Sequence, residues 1–237
     1  LAEIMDVDPE AIRVVPTACG GGFGSKIDIS FQPYVALAAW KLDRPARICY
    51  SRGESMRAST KRHPSDIHLR VGCDDKGLIS GFVFDGIFNT GAYASWGPTV
   101  ANRVPIHACG PYKTDHYRAT SVAVHTNAPP AGAFRGFGVP QSAIAQECAY
   151  DLLADEIGMD RLAFRRINAL KNGIPTVTGQ VFKNGVGIDD CFAALEQPWK
   201  NALSKAADFN EEAIANGSPW RSGVGIASCW YGCGNTS

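Results

Sequence analysis

An α+β fold is the class this sequence predicts, and three patterns predict it. Period-two alternation crowds the first half: Ile67, Leu69 and Val71 alternate with polar neighbours, and a second alternating run spans Leu78 to Phe88. Helical periodicity marks the second half, where Ile144, Cys148, Leu152 and Ile157 fall on one face. Strands come first and helices later, without the regular strand–helix alternation of a doubly wound sheet. The expected architecture is a mixed or antiparallel sheet with packed helices. Residues 1–130 read as a strand-rich part carrying a glycine loop, and residues 131–237 as a helix-rich part.

The elements follow in order. Ile12-Arg13-Val14-Val15 reads as a short strand closed by Pro16. The apolar stretch Ile27 to Leu42 suits a helix that starts near Pro33, because a first-turn proline lacks only an N–H that no helical bond needs. Arg47 to Ser51 reads as a strand. Asp74-Asp75-Lys76-Gly77 is a turn signal joining two alternating runs, which makes Asp66–Val71 and Leu78–Phe88 a hairpin. Arg118 to Val124 is a further strand. Val139 to Ile157 is an amphipathic helix stopped by Gly158. Asp160 caps a helix over Arg161 to Leu170, ended by Asn172-Gly173. Asp189-Asp190 opens another through Leu195, a separate helix runs from Trp199 to Ala215, and Gly223 to Trp230 reads as a terminal strand.

Composition excludes several function classes. Hydrophobic residues are 45% and charged residues 19%, a globular balance rather than a disordered one. Lys plus Arg number 23 and Asp plus Glu number 23, so no net charge is present to grip nucleic acid or an anionic membrane. The longest apolar run, Tyr34 to Trp40, falls far short of the ~20 residues of a membrane span. No basic segment followed by an apolar one opens the chain, which argues against a secretory leader. The first residue is Leu1, and both ends read as cut, as in a fragment or processed subunit. The eight cysteines, Cys19, Cys49, Cys73, Cys109, Cys148, Cys191, Cys229 and Cys233, are scattered without C-x-x-C spacing. They read as buried or half-buried thiols in a reducing, cytoplasmic compartment. His63, His68, His107, His116 and His125 form no zinc-site spacing.

Two glycine-rich segments stand out. Gly20-Gly21-Gly22-Phe23-Gly24-Ser25-Lys26 lies between the expected strand and the expected helix, where free N–H groups meet an anion such as a phosphate or a metal-oxo group. It is not a P-loop, because Ser25 precedes Lys26 and Ile27 follows it. It is not a dinucleotide fingerprint, because Ser25 stands where the third glycine belongs. A tight connection without a ligand explains such a run equally well. The second segment, Gly132-Ala133-Phe134-Arg135-Gly136-Phe137-Gly138-Val139-Pro140-Gln141, places an arginine between two phenylalanines just before a helix. A loop that merely buries two aromatic rings is its other reading.

Together, in this order and at this separation, the two segments resemble the molybdopterin-binding subunit of the xanthine dehydrogenase/aldehyde oxidase family. Lys61-Arg62-His63-Pro64 and Thr90-Gly91-Ala92-Tyr93-Ala94-Ser95 are similar to that family as well. The resemblance covers nearly all of this chain but only the first part of the family's molybdenum-cofactor-binding domain. It implies oxidative hydroxylation of an N-heteroaromatic or aldehyde substrate with oxygen from water. The implied cofactor is molybdenum-molybdopterin, in its cytosine dinucleotide form. The implied partners are the remaining molybdopterin-binding portion, an iron–sulfur subunit with 2Fe-2S clusters and an FAD subunit.

By the same resemblance Gly22, Phe23, Gly24, Phe134, Arg135 and Gly136 hold the cofactor. Phe23 and Arg135 stand beside the molybdenum through their backbones and are not direct ligands. Phe137 stacks on a flat substrate ring, and Arg103 occupies the place of a substrate-contacting arginine. Ile27 stands where purine-oxidising members carry a glutamate, with Asp28 next, which turns the expectation from purines toward an apolar or smaller heterocycle. The copper-binding cysteine loop of carbon-monoxide dehydrogenases is lacking. The family's general-base glutamate has no counterpart in this stretch, so no catalytic residue is assigned. A second ring-stacking phenylalanine would fall near Asn235. The competing reading is a non-catalytic scaffold or assembly domain with a degenerate cofactor site, whose cavity side chains would fill.

Overall fold

The computed structural model describes residues 1–232. Elements are α1 (Ala2–Met5), α2 (Gln32–Leu42), α3 (Arg52–Ala58), β1 (Ser65–Cys73), β2 (Ile79–Gly91), α4 (Gly97–His107), β3 (Tyr117–His125), α5 (Val139–Glu156), α6 (Arg161–Asn168) and α7 (Ile188–Ala215). Among the described residues a single 3-stranded sheet has the order β1-β2-β3. The expected hairpin joins β1 to β2: the Asp74 carboxylate accepts from the N–H groups of Lys76 and Leu78 at 3.0 and 2.8 Å, and Gly77 turns with φ +81°. β3 runs in the same direction as β2. Phe82 donates to the His116 carbonyl at one end, and Thr126 donates to the Gly91 carbonyl at the other. Parallel neighbours need a crossover, and α4 supplies it. The sheet is therefore mixed.

Two compact units divide the chain. The first holds residues 1–66, 87–102 and 122–138, and the second holds 67–86, 103–121 and 139–237. In the first, no residue before Thr60 is buried. Its core is Phe88, Thr90, Val100, Ala101, Ala131 and Ala133, with His63 and Thr60 beside them. α2 buries none of its residues and exposes Tyr34, Leu37 and Trp40.

The second unit packs around Tyr150, which is fully buried. Its ring lies 5.0 Å from Tyr112, 5.8 Å from Phe164 and 6.4 Å from Phe82. Beside this aromatic stack sits a buried ion cluster. Arg165 is 0% exposed and contacts the Glu147 carboxylate at 2.7 Å and Asp151 at 2.8 Å. Tyr112 donates to Glu147 at 2.9 Å and Gln146 does so at 2.8 Å, so the carboxylate's remaining lone pairs are filled. The aromatic hydroxyls lose acidity in this setting. Burial first, then the Glu147 charge, pushes Tyr112 well up, and burial does the same to Tyr150.

Several expectations need correction. Ile12 to Val15 and Arg47 to Ser51 form no strand, since neither stretch pairs with another extended segment among the described residues. Gly223 to Trp230 is not paired either. α3 and α4 have no counterpart among the expected elements. α3 is nucleated by a capping box in which Ser51 and Glu54 satisfy each other's backbone N–H. α7 runs unbroken through Pro198, because Trp199 is 7% exposed and its indole donates to Asp160 at 2.7 Å, pinning the helix where proline removes a bond. Asp160 caps α6 as expected, accepting from Ala163 at 2.8 Å. α5 forms where expected but with its faces reversed. Ile144 and Leu152 are 70% and 71% exposed, and the buried side carries Gln146, Glu147 and Tyr150. The thiols are mostly exposed rather than buried: Cys109 alone is buried among the described residues, and Cys73 is half-buried. Cys233 and Asn235 lie outside the described residues. No helix among them is long and apolar enough to cross a membrane.

Breaking a buried pair from one side strands the other charge, which costs about 3–5 kcal/mol. Arg165→Met is expected to lower the unfolding free energy by that amount in urea titration. Adding Glu147→Leu to it is expected to recover part of the loss; a larger loss in the double variant would contradict the cluster's role.

Candidate functional site

The two glycine-rich segments meet within the first unit. Its platform is made of three short extended pieces. Lys61 pairs with Ala131 in a parallel bridge, Gly132 donates to the Lys61 carbonyl at 3.0 Å, and Ala131 donates to the Thr90 carbonyl at 2.9 Å. From this platform the loop 132–138 emerges. The glycine run packs directly against it: a Cβ on Gly24 would lie 2.7 Å from the Ala133 carbonyl oxygen, and Gly24 has φ +96°. Gly132 is crowded by side chains instead, since a Cβ there would press on the Ser95 hydroxyl and come within 2.9 Å of the Asp28 carboxylate. Asp28 in turn accepts from the Ser95 hydroxyl at 2.8 Å, and the Thr60 hydroxyl reaches the Ser25 carbonyl at 3.5 Å. Only glycine lets the two backbones approach this closely.

The aromatic residues carry strain. Phe23 has φ +52° and Phe137 has φ +45°, a left-handed conformation that a bulky side chain adopts at a cost of ~1–3 kcal/mol. Each loop thus holds one strained phenylalanine. Phe23 is 62% exposed, so it is no core residue. The Arg135 guanidinium lies 5.9 Å from the Phe23 ring centroid, linking the loops a second time. Phe137 meets Trp96 edge-on at 6.4 Å. Phe134 is covered by Arg62, whose guanidinium lies 4.9 Å from the ring and also donates to the Arg135 carbonyl. Ile27 is exposed beside Gly24, to whose carbonyl it donates.

The glycine run itself differs from expectation. No strand precedes it, and α2 starts only at Gln32, so no helix N-terminus opens at the run. The chain turns instead through Ser25 N–H to Gly22 O and Ile27 N–H to Gly24 O. The N–H groups of Gly22, Phe23 and Gly24 have no backbone acceptor among the described residues. The Gly21 N–H and the Lys26 ammonium hold the Cys19 thiol below its ordinary pKa.

Arg103 belongs to the second unit, unlike the other expected site residues. It is 5% exposed, so it is no surface charge. Its guanidinium donates to the Gly232 carbonyl at 2.6 Å and stacks 4.4 Å from the Tyr231 ring. Sequence reasoning passes over Arg62, Asp28, Ser95 and Trp96 as contributors. Arg62 and Ser95 lie inside the two supporting stretches, and that neighbourhood is their signal. Asp28 and Trp96 carry no motif of their own.

Residues 1–169 match the family model of the molybdopterin cofactor-binding domain. The chain belongs to that family. The nicotinate dehydrogenase large molybdopterin subunit of Eubacterium barkeri is 38% identical over 188 residues, covering 79% of this chain and 44% of that protein. The xanthine dehydrogenase molybdenum-binding subunit of Escherichia coli O157:H7 is 31% identical over 233 residues, 98% of this chain and 30% of that protein. Among solved structures, aldehyde oxidoreductase from Desulfovibrio gigas superposes with a TM-score of 0.75 at 30% identity, over 80% of this chain and 21% of that one. The chain therefore spans less than half the length of these relatives, and its fold is that of the molybdopterin cofactor-binding domain.

The loops of this molybdopterin-binding domain suit such a cofactor. Gly24 keeps a side chain out of the junction, the N–H groups of Gly22 to Gly24 have no backbone acceptor among the described residues, and the Arg135 guanidinium lies over the Phe23 ring between them. Among the described residues no group of three or more His, Cys, Asp or Glu side chains is placed to hold a metal ion directly.

The platform predicts a pH dependence. Burial, with the neighbouring Arg62 cation, pushes His63 down from 6.5 to about 4. Below 6.5 the unfolded chain takes up a proton that the folded chain refuses until about pH 4. Stability is expected to fall as pH drops through that window, with no contribution from this group above it. Urea titrations at pH 7 and pH 5 check this: the His63→Gln variant is expected to lose less stability than the parent between the two, and an equal loss would contradict it.

Proposed function

We propose that this chain forms part of the molybdenum-cofactor site of a molybdenum hydroxylase that oxidatively hydroxylates an N-heteroaromatic or aldehyde substrate. The observation that carries the reading is the backbone-to-backbone junction of the glycine run with the second loop at Gly24 and Ala133. Gly22, Phe23 and Gly24 from one side and Phe134, Arg135 and Gly136 from the other would hold the cofactor. Phe23 and Arg135 would offer backbone groups nearest the metal, without ligating it. Bound there, molybdenum-molybdopterin in its cytosine dinucleotide form would supply the redox centre for a hydroxylation that takes its oxygen from water.

The chain's own residues do the positioning. Phe137, fixed in its strained conformation and braced by Trp96, would present a ring face to a flat substrate. Ile27 leaves the wall beside the glycine run apolar, which favours a small heterocycle or an aldehyde over a purine that needs a carboxylate partner. The substrate role expected of Arg103 would need its guanidinium released from the Gly232 carbonyl and the Tyr231 ring. No residue in this stretch is assigned as the base. A remaining molybdopterin-binding portion, an iron–sulfur subunit with 2Fe-2S clusters and an FAD subunit would complete the enzyme and carry electrons away, in the cytoplasm. The scaffold reading requires side chains to close the space before the loops. The exposure of Phe23 and Ile27, 62% and 59%, speaks against it.

Gly24 separates the readings by experiment. A valine there meets the Ala133 carbonyl in a left-handed backbone, a strain of ~1–3 kcal/mol that corresponds to roughly tenfold weaker holding of the cofactor. The Gly24→Val assembly is expected to lose molybdenum by about that factor. Gly20→Ala, which meets nothing within 4 Å, is expected to keep it. Equal molybdenum in both variants would contradict the assignment.

A further inference from the structure

We infer that Asp28 is a positioning residue of the cofactor site: with Ser95 it clasps the root of the loop 132–138 and so sets where Phe134, Arg135 and Gly136 stand; this deepens the reading above and rests on it. The Ser95 hydroxyl donates to the Asp28 carboxylate, lying 2.8 and 2.9 Å from its two oxygens. No other hydrogen bond or ion pair reaches that carboxylate among the described residues. The pair lies directly against Gly132, the first residue of the loop. A Cβ there would press on the Ser95 hydroxyl and come within 2.9 Å of Asp28. Two side chains from distant parts of the sequence thus close on one α-carbon.

Ser95 makes this bond from a strained backbone. Its φ is +43°, a left-handed conformation that a residue other than glycine keeps only where its surroundings over-determine it. The bond to Asp28 is one such restraint. The others act on the residue before it: the Thr90 hydroxyl and the Gly97 N–H both donate to the Ala94 carbonyl, at 3.0 and 2.7 Å. The other end of the glycine segment touches the same stretch of loop. Gly24 meets the Ala133 carbonyl, and the Ile27 N–H donates to the Gly24 carbonyl at 3.1 Å, closing the turn that leads to Asp28. Residues 24–28 therefore grip residues 132–133 at two points. A single contact leaves a loop free to pivot, whereas two fix its direction. Asp28 is half-buried while Ile27 before it is 59% exposed, so the carboxylate serves the loop and the open wall is left to Ile27.

Hydrogen exchange and molybdenum content, measured in the complex purified from the native host through a tag on this chain, test the clasp. Asp28→Ala removes a hydrogen bond to a charged group; it is expected to speed exchange of the 132–138 amides about tenfold and to lower molybdenum per chain by a similar factor. Asp28→Asn keeps an acceptor oxygen for the Ser95 hydroxyl and is expected to stay within about twofold of the parent in both readings. Ser95→Ala is expected to match Asp28→Ala, and the double variant to go no further than either single one. Exchange around Arg165 in the second unit is expected to stay unchanged in every variant. Faster exchange there as well would mean general loosening and overturn the positioning role. So would an unchanged loop in Asp28→Ala, an Asp28→Asn variant as damaging as Asp28→Ala, or losses that add in the double variant. Should Asp28→Ala fail to assemble, Ser95→Ala carries the same two expectations. The exchange reading needs no metal, which separates the two claims. A parent complex without molybdenum, whose 132–138 amides still lose protection in Asp28→Ala, keeps the clasp and sinks the cofactor reading. A loosened loop that retains its molybdenum overturns the positioning role and leaves the cofactor reading standing.

Discussion

The cofactor site proposed for this chain depends on two backbones touching. At Gly24 and Ala133 no room exists for even one methyl group. That contact brings together segments more than a hundred residues apart in sequence and fixes which faces of the loops remain open. Once the loops are joined, the strained Phe23 and Phe137 are held in place, since each sits between glycines that leave its conformation to the fold. Strain of this kind persists only where the surroundings over-determine it. The surroundings here are the Lys61–Ala131–Thr90 platform, the Asp28–Ser95 hydrogen bond and the Arg62 guanidinium over Phe134.

The second unit solves a different problem. Its core is aromatic, and it accepts a fully buried arginine because every charge in the cluster has a partner. An unpaired Arg165 would be untenable there, and so would an unpaired Glu147. The same cluster reaches the C-terminal segment through Ser228, so the ion pair also sets the phase of the residues that follow α7. Geometric demand of this kind, rather than net stability, is the better account of why polar groups occupy the inside of α5.

The helix α5 shows where sequence reading stops. Its period is plain, and its expected bounds match to within a residue, yet the apolar stripe faces outward. Periodicity says that two faces differ; it does not say which one the fold buries when Arg165 supplies a partner for Glu147. The hairpin is legible because its turn chemistry, Asp74 through Gly77, acts locally. The strands expected at Ile12–Val15 and Arg47–Ser51 fail because a strand is a property of two segments, and neither finds its second here. Of the site, the two loops are legible because glycine demands and Phe-Arg-Gly-Phe-Gly spacing are written in order along the chain. Asp28 and Trp96 are not, since their roles arise only where distant segments meet.

Near-stoichiometric molybdenum per mole of this chain, in the complex that it pulls from its native host, is the result the account predicts. The metal content of that complex, measured in a host shown to make the cofactor, is therefore its most direct test. A complex without molybdenum would mean that the joined loops serve as scaffold, and the account would fail.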